Sequence, residues 1–323
     1  MKEYLDLVKT ILSEGKYKEN RTGVDTISYF SGFHKVNLSN GFPLLTTKKM
    51  IGKRWNSLIH ELLWFISGED HIRNLSKHTK IWNAWADENY DVGPAYGCQW
   101  RKYKGVTYKT NEIVEIDQLQ NAIDKIKHKP NDRRIIVTAW NPAQIEEMAL
   151  PPCHHTYTFN VLDDKLNCHL DQRSCDVALG VPFNIASYSL LTHIIAQETG
   201  YKPGEFAHTL VDLHAYCGDG KDYGLKQRGQ WYKENLSDLQ NEIKLIKEPA
   251  DYLGIKEWIE SIAPEESKKG IDHIPGLLEQ LSRDTKSLPN IKINNKQLEE
   301  LVFEDFSLEN YEYHPGINFE VAV

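Results

Sequence analysis

The sequence predicts an α/β (α+β) protein: a single large mixed-sheet domain over residues 1–323, with helices around the sheet. Three observations predict it. Apolar and polar residues alternate through several segments in the middle of the chain, as half-buried strands require. Other segments place their apolar residues three and four apart, the spacing of one helix face. One stretch, Ile185 to Thr199, is apolar nearly all round, which implies a helix buried at the centre.

In chain order, Leu5, Val8, Ile11 and Leu12 form a helical stripe that stops at Gly15. Ile27 to Leu38 alternates around a glycine and reads as a strand. Arg54 to Ile66 returns to helical spacing through Trp55, Leu58, Ile59, Leu62, Leu63 and Ile66. Arg134 to Trp140 is nearly all apolar and strand-like. Tyr157, Phe159 and Val161, then Leu166, Cys168 and Leu170, keep the period of two. After the central helix another strand runs from Phe206 to Tyr216, and Ile317 to Val323 closes the chain. Between about Cys217 and Ile271 the composition changes to charged residues with few β-branched ones. Leu236, Leu239, Ile243 and Ile246 fit one amphipathic helix with Ser237 near its start; Ile255, Trp258, Ile259 and Ile262 fit a second, ended by Pro264. The segment 217–271 therefore reads as a helical insertion. Packing of its helices onto the parent domain is a simpler expectation than a partner-binding role.

Composition narrows the setting. The chain is 40% hydrophobic and 26% charged, as in soluble globular proteins. Its longest apolar runs, such as Leu62 to Ile66, fall far short of the roughly 20 residues that cross a bilayer, so no membrane partner is expected. The charged start, Met1-Lys-Glu-Tyr-Leu5, lacks the apolar core of a signal peptide. Five cysteines without framework spacing argue against a secreted disulfide scaffold, and the cytoplasm is the expected compartment. A net charge of −8 disfavours a general nucleic-acid binder. A local arginine cluster can still hold an anionic ligand against that field.

The densest chemical signal is Leu150-Pro-Pro-Cys-His154. A cysteine nucleophile must be thiolate-like, exposed and close to positive charge, and two preceding prolines would present Cys153 in a defined direction. Alone the signal is weak, because a lone intracellular cysteine is more often a buried small hydrophobe. Asp171-Gln-Arg-Ser-Cys-Asp176 shifts the balance: Arg173 and Ser174 offer the bidentate charge and neutral donor that suit a phosphate. Asp132-Arg-Arg134 and Asn20-Arg-Thr-Gly23 add Arg133, Arg134 and Arg21. Glu61 lies in a strongly apolar segment, where desolvation raises a carboxyl pKa toward the range useful for proton transfer. Taken without their neighbours, Glu61 reads as a paired core carboxylate, and Trp82 and Trp85, three apart on an expected helix, read as core aromatics. His154 and His155 are adjacent, so at most one faces a site. Cys98, Cys168, Cys175 and Cys217 have no metal-ligand spacing, and no metal is expected.

Long blocks of this chain resemble the thymidylate synthase family. They include Gly41-Phe-Pro-Leu-Leu-Thr-Thr-Lys-Lys49, His60-Glu-Leu-Leu-Trp-Phe65, Ile81-Trp-Asn-Ala-Trp-Ala-Asp-Glu88, the Cys153 block, the run from Gln172 to Tyr188, and His208 to Tyr216. The similarity covers about residues 18–216 and resumes from about 273. It implies a thymidylate synthase-like fold and one-carbon transfer from methylenetetrahydrofolate to C5 of dUMP through a covalent Cys153 adduct. By the same resemblance, Arg21, Arg173 and Ser174 hold the phosphate, joined by Arg133 and Arg134 of the other subunit of an obligate homodimer. Asn184 meets the uracil edge, and His214 and Tyr216 bind the sugar hydroxyl. Glu61, with Tyr96 nearby, organises water and proton transfer; Arg173 also belongs to the catalytic set. Trp82, Trp85, Leu150, Asp176, Gly180 and Phe183 match folate-facing positions, Asp176 also bordering the substrate. The carboxylate of Val323 matches the group that helps close the site.

Residue chemistry agrees with the substrate. Uracil is a poor nucleophile at C5 until a thiolate adds at C6, and a neutral amide such as Asn184 supplies both acceptor and donors to the ring edge. Three departures from the family pattern stand out: the insertion after Tyr216, His155 where a small residue is usual, and Val211 where glycine is common. All are expected near the substrate sites. They leave two outcomes for the common methylene-bearing adduct: reduction to dTMP, or water addition as in a dUMP hydroxymethylase. Retained Trp82 and Val323 favour reduction. A binding protein that had lost catalysis would show it first at Cys153 or Glu61, and both are present.

Overall fold

The computed structural model describes residues 1–20, 23–219, 227–265 and 271–322. In chain order the first half forms α1 (Lys2–Glu14), β1 (Lys16–Lys18), β2 (Val24–Asn37), α2 (Lys53–Ser67), α3 (Gly97–Lys102), β3 (Tyr103–Val106), β4 (Ile113–Ile116), α4 (Gln118–His128) and β5 (Ile136–Thr138). The second half forms β6 (His154–Leu162), β7 (Lys165–Asp176), α5 (Gly180–Thr199), β8 (Lys202–Asp219), α6 (Arg228–Leu245), α7 (Tyr252–Ile262), α8 (Ile274–Leu281), β9 (Asn290–Ile293) and β10 (Phe306–Glu309).

Among the described residues, six strands form one mixed sheet in the order β1-β2-β8-β7-β6-β5. Only the β7–β8 pair is parallel. A parallel pair needs a crossover, and α5 supplies it. Its buried residues run round the whole helix, including Val181, Ile185, Leu190, Leu191, Ile194 and Ile195, because α5 lies between the sheet and α2 and α4. The helix begins at Gly180, five residues before the apolar run, since Pro182 is tolerated in a first turn.

The two sheet faces differ. Val36, Val137, Tyr157, Phe159, Cys168, Leu170, Phe206 and Leu210 are buried on the helix-covered face. The opposite face carries Phe33, Thr209, Val211 and Ile136; of these Phe33 is 59% exposed and Ile136 48%. Helices cover the first face, and no described element covers the second.

Several expectations are corrected. Arg134 to Trp140 contains only a three-residue strand, Ile136–Thr138, with single backbone hydrogen bonds to β6 on either side of it, from Phe159 N–H to the Ile135 carbonyl and from Ala139 N–H to the His155 carbonyl. Trp82 and Trp85 sit on hydrogen-bonded turns rather than a helix, with Asn83 N–H donating to Lys80 and Trp85 N–H to Trp82. Ile317 to Ala322 runs without regular structure, docked through buried Ile317 and Phe319. In the insertion, α6 starts at Arg228, well before Ser237. It packs on α1, β1, β2 and β8, and α7 packs on α8. Among the described residues, no helix is long and apolar enough to cross a membrane.

Candidate active site

The strand register assembles a polar pocket at one end of the sheet. Thr26 faces Tyr216 and Ser28 faces His214 across β2–β8, while Ser174 faces Asp212 and Asp176 faces His214 across β7–β8. A cavity of about 230 Å³ results, lined by Lys18, Asn20, Thr26, Arg173, Ser174, Asp212, His214 and Tyr216. Inside it, Lys18 Nζ pairs with Asp212 at 2.6 Å, and Ser28 donates to the other oxygen of that carboxylate. Burial opposes ionisation of Asp212, yet these contacts hold its pKa below the ordinary carboxylate value. His214 Nδ1 meets the Asp212 carbonyl at 2.9 Å. A carbonyl can only accept, so Nδ1 carries the hydrogen and Nε2 is left for a ligand.

Cys153 lies just before β6, partly exposed. Its N–H donates to Tyr96 Oη at 2.9 Å, and its carbonyl accepts from Arg173 N–H at 2.9 Å. The Arg173 guanidinium donates to the carbonyls of Pro151 (2.8 Å) and Pro152 (3.0 Å), its centre 5.6 Å from the Trp140 ring. One arginine thus braces the loop that presents the thiol and also lines the polar pocket. All five cysteines are free thiols, and the other four are buried.

Glu61, on α2, accepts a 2.7 Å hydrogen bond from the Trp82 indole. Burial pushes its carboxyl up to about 7, against the smaller opposing effect of that bond. The proton is therefore mobile near neutrality. Tyr96 packs on Phe65 and Trp82, and burial together with Cys153 raises its phenol well above the ordinary value. His154 bonds Tyr188 at 2.8 Å; burial lowers its pKa to about 3, so it stays neutral. His155 turns to the open sheet face, against Thr156 and Trp140.

Asp176 precedes α5, where Oδ1 accepts from Ala178 N–H at 2.9 Å and Leu179 N–H at 3.3 Å. Burial opposes its charge, but His273, His214 and these amides lower its pKa. Gly180 leaves open space: a Cβ there would meet nothing closer than Asn184 Oδ1 at 3.7 Å. Asn184 is half-buried one turn along α5, with Phe183 beside it and Leu150 half-buried before Cys153. Trp82 and Trp85 stand edge to face at 5.8 Å.

The sequence pattern of thymidylate synthase matches residues 2–323. This chain belongs to the thymidylate synthase family. The thymidylate synthase of Haloferax volcanii is 47% identical to it over 332 aligned positions, covering 98% of this chain and 95% of that one.

Not every expected residue joins the site. Arg133 and Arg134 are exposed beside β5, at the sheet edge away from β8, and Arg134 pairs with Asp132 at 3.1 Å. Arg21 and Val323 lie outside the described residues. His155 and Val211 are on the open face and do not line this pocket: Val211 alternates with buried Leu210, and an irregularity in the β6–β7 register between His154 and Thr156 turns His155 outward. Lys18, Thr26 and Asp212 were not anticipated. Asp212 has a legible signal, two residues before His214 on the same face. Lys48 was missed as well: it is buried, donates to the Ala178 carbonyl at 2.6 Å, and burial lowers its pKa to about 7. Among the described residues, no group of three His, Cys, Asp or Glu is placed to hold a metal ion.

Proposed function

We propose that the chain methylates dUMP to dTMP as one catalytic unit spanning residues 1–323, with methylenetetrahydrofolate as co-substrate. The observation that carries this reading is the Cys153 loop, braced by Tyr96 and Arg173 next to a polar pocket that Arg173, Ser174, His214 and Tyr216 line.

In this reading Arg173, Ser174 and Arg21 bind the phosphate, and His214 Nε2 with Tyr216 reads the sugar hydroxyl. Cys153 Sγ bonds to C6 of the uracil ring, leaving C5 as the nucleophilic carbon. The Asn184 amide holds the ring edge and stabilises charge on its oxygen without adding a charge of its own. Glu61 and Tyr96 hold water and move the C5 proton. The half-buried faces of Trp85, Leu150 and Phe183, buried Trp82, the Asp176 carboxylate and the space at Gly180 suit a flat ring bearing N–H donors. When bound, the reduced folate supplies both the methylene carbon and the hydride.

The open sheet face favours a homodimer. An exposed face with Phe33, Ile136 and Val211 is the kind of surface that a second copy covers. A two-fold pairing would let Arg133 and Arg134 reach the partner's phosphate pocket, which they do not enter in their own chain. Free thiols suit a reducing, cytoplasmic setting.

Incubating the protein with dUMP and methylenetetrahydrofolate and weighing the nucleotide tests the reaction. Thymidylate with dihydrofolate is expected, in line with the name of the Haloferax relative. Hydroxymethyl-dUMP with tetrahydrofolate would overturn it.

A further inference from the structure

The helical segment that follows Tyr216 rejoins the end of β8 at Asp272, and a buried ion pair ties its first helix to that junction. Arg228, in the first turn of α6, places Nε 2.8 Å from Asp272 Oδ2 and donates from Nη1 to the Pro264 carbonyl at 2.8 Å. Tyr232, one turn on, donates to the same carboxylate oxygen at 2.7 Å. The Arg228 side chain is 9% exposed and that of Asp272 1%. Gly218, at φ +100°, lets the arginine lie flat on the end of β8, since a Cβ there would sit 2.8 Å from its side chain. The other Asp272 oxygen accepts from Ile274 N–H at 2.9 Å, at the start of α8.

What this pair fixes is the next residue. His273 N–H donates to the Tyr216 carbonyl at 2.9 Å. Its Nε2 donates to the Glu320 carbonyl at 2.9 Å, and its Nδ1 lies 3.7 Å from Asp176 Oδ1. The buried ring also packs against Tyr216 and Phe319. One histidine therefore touches the strand end that carries Tyr216, the carboxylate ahead of α5 and the C-terminal segment.

We propose that Arg228 and Asp272 are positioning residues that make the helical insertion a working part of the folate side of the site. By fixing His273, they hold Asp176 and the segment Ile317–Ala322 together. Tyr216 has a second anchor in its pairing with Thr26 in β2, so nucleotide binding is expected to depend on the pair far less than folate binding does. The inference rests on the folate-facing role of Asp176 proposed above.

The test is the double variant Arg228→Gln/Asp272→Asn, which removes both charges while keeping polar groups of similar size, compared with wild type and Arg228→Lys. Four quantities are read: the melting temperature, the dUMP dissociation constant by calorimetry, kcat with KM for methylenetetrahydrofolate, and amide hydrogen exchange of residues 317–322. KM is expected to rise about tenfold with kcat and dUMP affinity within about threefold, tail exchange to accelerate, and Arg228→Lys to fall between. A lower melting temperature with unchanged KM and tail exchange would reduce the pair to a structural anchor and overturn the proposal. If the double variant does not fold, His273→Gln leaves the ion pair intact and is expected to give the same KM and exchange changes; unchanged values there would also refute it. Failure of wild type to consume methylenetetrahydrofolate would instead refute the reading of the site, and faster tail exchange in the variants would still be expected.

Discussion

At the scale of single residues, environment decides chemistry. Glu61 and Asp176 are both carboxylic acids largely removed from water, yet their pKa values move in opposite directions. Glu61 receives one indole N–H, which is too little to offset desolvation; Asp176 has two amides and His273. A stability prediction follows from Glu61. Its carboxyl titrates at about 7 in the folded protein against 4.5 for the ordinary group, so the folded state holds its proton over that range. Folding is penalised little below about pH 4.5, increasingly through pH 7, and fully above. Glu61→Gln should therefore be more stable than wild type at pH 8 by about 2 kcal/mol, a value discounted for the carboxyl's solvent-facing edge. The difference should vanish toward pH 4.5 while turnover is lost. Urea midpoints at the two pH values check this; an equal gap at both would sink it. Asn184→Asp should shift preference from dUMP toward dCMP, whose ring edge presents an amino donor. Competition between the two nucleotides reads the shift.

At the scale of elements, the close fit of the tail on α8 makes a sharper test than any surface change. A Cβ on Gly276 would sit 2.6 Å from Phe319 Cε1 and 3.1 Å from Ile317 Cγ2. In a helix, alanine in place of glycine gains about 0.5–1 kcal/mol. Gly276→Ala should therefore leave the melting temperature within a few degrees while lifting the tail. The expected outcome is a KM for methylenetetrahydrofolate raised about fivefold with dUMP affinity kept. A variant with wild-type KM would show that the tail does not need this contact. The same scale explains where periodicity misled. Trp82 and Trp85 have helical spacing, but their backbone forms successive turns, with the Trp82 indole held by Glu61, Trp64 and Tyr96 and Trp85 packed on Trp82. The Arg134–Trp140 run is apolar without being strand throughout, since Trp140 is spent on Arg173 and His155.

At the scale of the whole molecule, the arginines beside β5 make the prediction. If Arg134 completes a partner's phosphate pocket, Arg134→Ala and Cys153→Ser subunits are each inactive alone. Refolded together in equal amounts, they should regain activity, with about one site in four complete for a random two-fold pairing. Turnover of the mixture against the separate variants measures it, and no recovery would refute sharing across subunits. The uncovered sheet face supports the same arrangement, and His155 and Val211 belong to that face. In that arrangement both side chains would fall at the subunit contact.

The sequence by itself determined the kind of site: the Cys153 thiol, the Arg173 guanidinium, the Asn184 amide and the Glu61 carboxyl are all carried by short contiguous blocks. Such blocks are legible because each keeps its residue types at fixed spacing. The helices Lys2–Glu14 and Lys53–Ser67 and the central strands were legible for the same reason, since a period of 3.6 or 2 needs only local order. Only the tertiary structure decided which histidine faces inward, that Asp212 and Lys18 share the polar pocket, and that His273 joins three distant segments. Those facts depend on strand register and on packing between residues far apart in the chain. An ion pair such as Arg228–Asp272, 44 positions apart, leaves no periodic trace in the sequence.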